Sequence, residues 1–85
     1  MHFHEYSQVR IRQLIRPPEA SKNCIVYVRP PQVGDVGIIV SVYQRPGSAG
    51  GYCYTVEFAD RGGAPLWLHD FSADELEAAP TQPVP

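Results

Sequence analysis

The side chains able to do acid–base, nucleophilic or metal chemistry are few in this chain, and they fall in separate places. His2, His4 and Glu5 stand near the N-terminus, Cys53 sits inside an apolar run, and His69-Asp70 precedes the acidic stretch Asp74, Glu75 and Glu77. A structural zinc site needs about four ligands in tetrahedral geometry. Neither the N-terminal group nor His69-Asp70 supplies that many, so no metal and no cofactor is expected. Catalysis needs a nucleophile beside a base, or paired carboxylates. Cys53 with a histidine, and Asp70 with Asp74, are the candidates, and neither has a recognisable spacing. The chain is therefore expected not to be an enzyme. Gly47-Ser-Ala-Gly-Gly51 has the composition of a phosphate loop. It lacks the following lysine and the helix N-terminus that make such loops work, so it reads as a turn.

Binding chemistry is better represented. Tyr43, Tyr52, Tyr54 and Trp67 can form an aromatic groove of the kind that holds proline-rich peptides, or can divide between core and surface. The partner-binding set expected here is Tyr43, Tyr52, Trp67 and His69 as anchors, with Arg10 and Arg12 setting orientation against the Asp74/Glu75/Glu77 turn. The partner is expected to be another protein or a second copy of the chain, with the tail Pro80–Pro85 as one segment that can dock on a neighbour. Net charge is −2 and unevenly spread. Arg10, Arg12, Arg16, Lys22 and Arg29 dominate the first part, and acids dominate from Glu57 onward. Such a bipolar surface suits head-to-tail association or a partner of mixed charge. Arg10, Arg12, Arg16 and Arg29 also offer a basic stripe for nucleic acid, the alternative reading. A pI of 5.8 opposes it.

The elements that must position these residues are short and β-rich. Nine prolines and seven glycines punctuate the chain. Val9-Arg-Ile-Arg12 alternates apolar and basic residues as a half-buried strand with Arg10 and Arg12 on the wet face. Leu14 and Ile15 break the alternation, and Pro17-Pro18 ends the strand. Residues 16–23 read as a polar loop and Cys24–Arg29 as a short strand. Val36–Tyr43 and Tyr52–Phe58 pair as a hairpin across the glycine-rich turn. Gly37 marks a bend or a close backbone approach. Ala64–His69 is a further strand, with Leu66 and Leu68 expected inward and Trp67 and His69 on the opposite face. Ser72-Ala-Asp-Glu75 fits a capping box that opens one or two helical turns through Leu76 and Ala78.

The fold expected is mostly β: a small SH3-like barrel of about five antiparallel strands with a short C-terminal helical turn. Residues 1–7 read as a flexible N-terminus, 8–79 as the single domain and 80–85 as a proline-rich tail. No apolar run is long enough to span a membrane. The N-terminus lacks the pattern of a secretory signal, so a cytoplasmic protein with free thiols is expected. A Cys24–Cys53 disulfide is the alternative if their strands are neighbours.

Gly34-Asp-Val-Gly-Ile-Ile-Val40, Tyr54-Thr-Val-Glu-Phe58, Leu66-Trp-Leu68 and Ala73-Asp-Glu-Leu76, together with Arg29–Asp35, resemble a group of small uncharacterised bacterial proteins of SH3-like fold. The resemblance covers residues 8–78. It implies the fold and, for some of the group, an origin on mobile elements such as integron gene cassettes. It implies no activity. Gly34–Val40 is also similar to the KOW-type strand of ribosome- and transcription-associated proteins. Here Asp35 and Glu57 flank the hairpin where those modules carry basic residues.

Overall fold

Val9 and Ile11 leave an extended run on one side and Arg10 on the other, and that alternation builds the first strand, β1 (Gln8–Ile11). The structure, a computed structural model, describes residues 3–15 and 24–79. Five further strands follow: β2 (Ile25–Val26), β3 (Val36–Gln44), β4 (Tyr52–Ala59), β5 (Pro65–Ser72) and β6 (Leu76–Ala78). They form one antiparallel sheet in the order β2-β5-β4-β3-β1-β6. The sheet is open, with β2 and β6 at its edges. The polar loop expected over residues 16–23 and the tail 80–85 lie outside the described residues, as does His2.

The strand expected from Cys24 to Arg29 contracts to Ile25–Val26, held against β5 by the pairs Ile25↔Leu68 and Val26↔Trp67. The helical turns expected through Ala78 also contract. The capping box at Ser72–Glu75 forms, but it closes one 3-10 turn, Ala73–Glu75, and Leu76 is already extended at φ −118° and ψ 155°. The residues beyond it pair with β1 as Val9↔Ala78, Arg10↔Glu77 and Ile11↔Leu76. Burying Leu76 against the core outweighs the local helical preference.

β3 shows how the sequence aims side chains. Ile38 pairs with Glu57 and Ile39 with Val56, but the next pair is Ser41↔Thr55. Val40 is the extra residue of a bulge, so the inward parity passes from Gly37 and Ile39 to Val42. Gly37 is buried for a steric reason. A Cβ there would lie 2.7 Å from both the Glu57 carbonyl oxygen and Val56 Cγ1.

The facing expected for β5 is reversed. Trp67, His69 and Phe71 point into the core, and Leu66 and Leu68 are only half-buried. Trp67 stacks on Phe58 at 5.5 Å and meets Phe71 edge-on at 5.7 Å. Its Nε1–H donates to Asp35 Oδ2 at 3.1 Å, so the indole is buried with its polar atom satisfied. Asp35 also accepts two bonds from the Arg29 guanidinium, at 2.8 and 2.9 Å, and one from the Gln32 N–H at 3.0 Å. Arg29 in turn lies over the Phe58 ring, 5.1 Å from its centroid. Burial pushes the Asp35 carboxyl up, but these donors and the Arg29 charge outweigh it and hold the group below its ordinary range. This clasp ties the connection before β3 to the tryptophan.

The N-terminal segment is not set apart from the domain. Phe3 is buried and meets Tyr54 edge-on at 5.5 Å, and Tyr6 N–H donates to the Ile39 carbonyl. Cys24 and Cys53 are not joined in a disulfide. Among the described residues, no helix is long and apolar enough to cross a membrane.

Candidate functional site

Two tight connections approach each other at one end of the sheet and leave a cleft of about 390 Å³ between them. The first joins β3 to β4. Arg45 N–H donates to the Gly51 carbonyl, Ser48 N–H to Arg45 and Gly51 N–H to Ser48. Gly47, Gly50 and Gly51 take φ between 73° and 90°, so this turn needs glycine. The second is the 3-10 turn. Ser72 N–H donates to Glu75 Oε1 at 3.1 Å, which fixes the turn's last residue back on its cap. Glu75 Oε2 accepts the Ile15 N–H at 3.0 Å, and the Glu75 carbonyl accepts from Arg12. The chain after β1 is thereby stitched to the same turn and brings Ile15 to the cleft wall.

The cleft collects groups that are far apart in sequence. Tyr43, Cys53 and Ser72 sit side by side on β3, β4 and β5 through the pairs Tyr43↔Cys53 and Cys53↔Ser72. Asp70 lies opposite Thr55. Tyr43 Oη donates to Asp70 Oδ2 and Thr55 Oγ1 to Asp70 Oδ1, each at 2.6 Å. Burial and then the Asp70 bond push the Tyr43 phenol well up, so it stays a proton donor at neutral pH. Arg45 reaches Cys53 Sγ at 3.9 Å. Ser72 Oγ donates to both Asp74 and Glu75.

His69 forms part of the wall and is 2% exposed. Its ring packs edge-on to Phe71 at 4.6 Å, and its Nδ1 is buried with no hydrogen-bond partner. Burial lowers its pKa below the usual imidazole value, while the charges of Glu75 and Asp70 push back less strongly. The imidazole is neutral at pH 7.

The residues singled out in the sequence separate into two groups. Tyr43 is exposed beside the cleft and Asp70, Asp74, His69 and Cys53 line it. The aromatic groove does not form: Tyr54 and Trp67 are core, Tyr52 packs against them, and Tyr43 sits on the other side of the sheet from Tyr54. Trp67, at 0% exposure, offers no contact surface, and His69 offers almost none. Arg10 is half-buried with Glu77 opposite it, and Arg12 is exposed beside the 3-10 turn. His4 is exposed at the N-terminal end. Among the described residues, no group of three or more His, Cys, Asp or Glu is placed to hold a metal. Arg45 is a site residue that sequence reading missed, while Glu75 was read only as part of the acidic turn and the capping box. The turn glycines and the capping box were the available signals, since they bring both connections to one end of the sheet.

Comparison with family models, with curated proteins and with solved structures finds no match to this chain.

Proposed function

We propose that this chain is a non-enzymatic protein-interaction module of SH3-like fold that holds a segment of a partner in the cleft between the β3–β4 turn and the 3-10 turn. The single observation that carries the reading is the cleft itself. Three connections converge on about 390 Å³ of open space lined by hydrogen-bonding groups, in a domain whose Tyr54, Trp67 and Phe71 are spent on the core. Strands β1, β3, β4, β5 and β6 with one helical turn before the last suit an SH3-like barrel. The non-enzymatic part rests on partners. Cys53 faces Arg45 and Tyr43 rather than a general base. The arginines favour nucleic acid less, because Arg10 stands opposite Glu77 and Arg29 is committed to Asp35.

The test is a selection of displayed random peptides on the immobilised protein, repeated on Ala49→Trp, which fills the cleft from the turn. Selected peptides are expected to bind the wild type and to lose at least tenfold in affinity for the filled variant. Equal binding to both would remove the cleft as the site.

A second observation favours self-association through a different surface. The register places Gln8, Ile38, Glu57, Leu68 and Ile25 in one row across β1, β3, β4, β5 and β2. Ile38 and Ile25 in that row are 43% and 47% exposed. Val26, Tyr27 and Val28, in and just after the edge strand, are exposed as well.

A further inference from the structure

Among the described residues, His69 Nδ1 is the buried side-chain polar atom left without a hydrogen-bond partner. The ring sits on the core face of β5, where it meets Phe71 edge-on and Val56 stands opposite on β4. A neutral imidazole is tolerated there. An imidazolium is not, because both ring nitrogens then carry a hydrogen, and Nδ1 holds a donor and a charge with no acceptor. Such an ion needs water or a carboxylate.

The elements around the ring offer few charges. β5 supplies Asp70, the 3-10 turn Asp74 and Glu75, and the β3–β4 turn Arg45, while the chain after β1 brings Ile15. Asp70 and Glu75 are the two whose charge acts on the ring. Asp70 follows His69 on the strand, so its side chain points to the opposite face, where the Tyr43 and Thr55 hydroxyls hold it. Glu75 is placed differently. It is buried at the end of a three-residue turn, and its carboxylate holds that turn shut. Oε1 accepts from Ser72 N–H and Ser72 Oγ, and Oε2 accepts from Ile15 N–H. The Glu75 carbonyl accepts from the Arg12 and Gln13 N–H groups, and Gln13 Nε2 donates to the Asp74 carbonyl. All the donors to the Glu75 carboxylate are neutral, so a cation inside the core competes with them on favourable terms.

We infer that His69 and Glu75 form an acid-sensitive latch: a proton taken up by His69 draws the Glu75 carboxylate off Ile15 and Ser72, and the chain after β1 comes away from the 3-10 turn. The proton comes from solvent and stays on the ring, and only hydrogen bonds change. Ile15, one wall of the cleft, leaves with the released chain. The β1–β3 and β3–β4 ladders have no part in the latch and stay paired. The latched form keeps His69 neutral and the released form protonates it. Release is therefore favoured as pH falls below the ordinary imidazole value of 6.5. A single proton can shift this equilibrium by at most about tenfold per pH unit. The consequence for a partner rests on the interaction reading above: a segment held in the cleft at neutral pH is let go in acid.

The experiment follows the ¹⁵N-labelled full chain, with no ligand present, from pH 7.5 downward, and reads the His69 ring protons in the same samples. The Gln13, Ile15 and Ser72 amides are expected to shift together, at the midpoint of the His69 ring and below pH 6.5, while the Val9 and Ile38 amides hold their positions. His69→Phe is expected to lose this transition. Glu75→Gln keeps one acceptor but not the charge, and is expected to lower the His69 midpoint by about half a pH unit or more. Amides that titrate at a midpoint different from the ring overturn the latch. So do a His69→Phe variant that keeps the transition and a Glu75→Gln variant that leaves the His69 midpoint in place. Loss of every native amide signal at once also overturns it, because the proton then unfolds the whole chain. If His69→Phe does not fold, the ring and amide midpoints of the wild type still decide. Peptides from the display selection are expected to bind the wild type about tenfold more weakly at pH 5 than at pH 7.5, and His69→Phe with a flatter dependence. If no selected peptide uses the cleft while the latch titrates as described, the interaction reading falls and the latch stands.

Discussion

Two buried polar side chains set the chemistry of this molecule, and they are treated in opposite ways. Trp67 buries an indole N–H and gives it Asp35 as a partner. His69 buries an imidazole and leaves Nδ1 without one. The second arrangement has a pH consequence. The folded pKa of His69 lies below the ordinary 6.5, chiefly through burial. The unfolded chain therefore takes up a proton near pH 6.5 that the folded chain refuses. Stability from this group is full above pH 6.5 and declines as pH falls toward the folded value. Asp35, also lowered, acts with the same sign but only below its unfolded value near 3.8. Of these two groups, His69 is thus the one that contributes a slope between pH 7.5 and 5. His69→Phe keeps a ring against Phe71 and removes both the unpartnered atom and the proton. Urea unfolding at pH 7.5, 6 and 5 is expected to show wild-type stability falling across the series and the variant nearly flat. Parallel declines in both would assign the slope to other groups.

At the scale of elements, Gly37 makes the sharpest claim. It lets β3 approach β4 so closely that an added Cβ meets a backbone oxygen, which cannot swing aside. Gly37→Ala is expected to cost about 1–3 kcal/mol through overpacking. Gly62→Ala, where the nearest atom is an Asp60 carboxylate oxygen at 3.4 Å, should cost much less. Denaturant midpoints of the two variants compare them directly, and equal midpoints would remove the close approach. Gly37 was legible as a close approach because an isolated glycine in a β-branched run has few other reasons to be there. The hairpin and the capping box were legible for similar local reasons. The facing of β5 was not. Leu66 and Leu68 compete with Trp67 for the core, and parity alone cannot choose between two apolar sets. Phe71, which tips the balance, lies beyond the strand end read from the sequence. The clasp of Arg29 and Asp35 on Trp67 escaped for another reason: it joins residues distant in sequence through side-chain geometry. The cleft was half legible, since its carboxylates, cysteine and histidine were noticed, while the register that gathers them depends on a bulge at Val40.

The whole molecule presents two surfaces with different demands. The cleft is polar and acidic, and nothing in it favours a second copy over a foreign partner. The outward row from Gln8 to Ile25 is different, because it interleaves apolar side chains with one carboxylate, Glu57, and ends at β2, the edge strand among the described residues. A two-fold pairing of this face would bury Ile38 against its equivalent and needs a cation to meet Glu57. Arg10 lies on the same face, two residues along β1 from Gln8, and can serve the other copy's Glu57. Association by this face would therefore combine apolar burial with a salt-sensitive pair at its margin. Light scattering across concentration is expected to show a mass rising toward the dimer, less steeply at high salt. Ile38→Lys is expected to hold the chain at monomer mass with an unchanged β-sheet circular dichroism spectrum, because Ile38 is already 43% exposed in the free domain. A wild type that stays monomeric at every concentration would leave the face unoccupied by a second copy. A dimer that survives Ile38→Lys would place the contact elsewhere, with the β2 edge as the next surface to alter. In either case the cleft remains open for the peptide selection, because the row and the cleft share none of their residues.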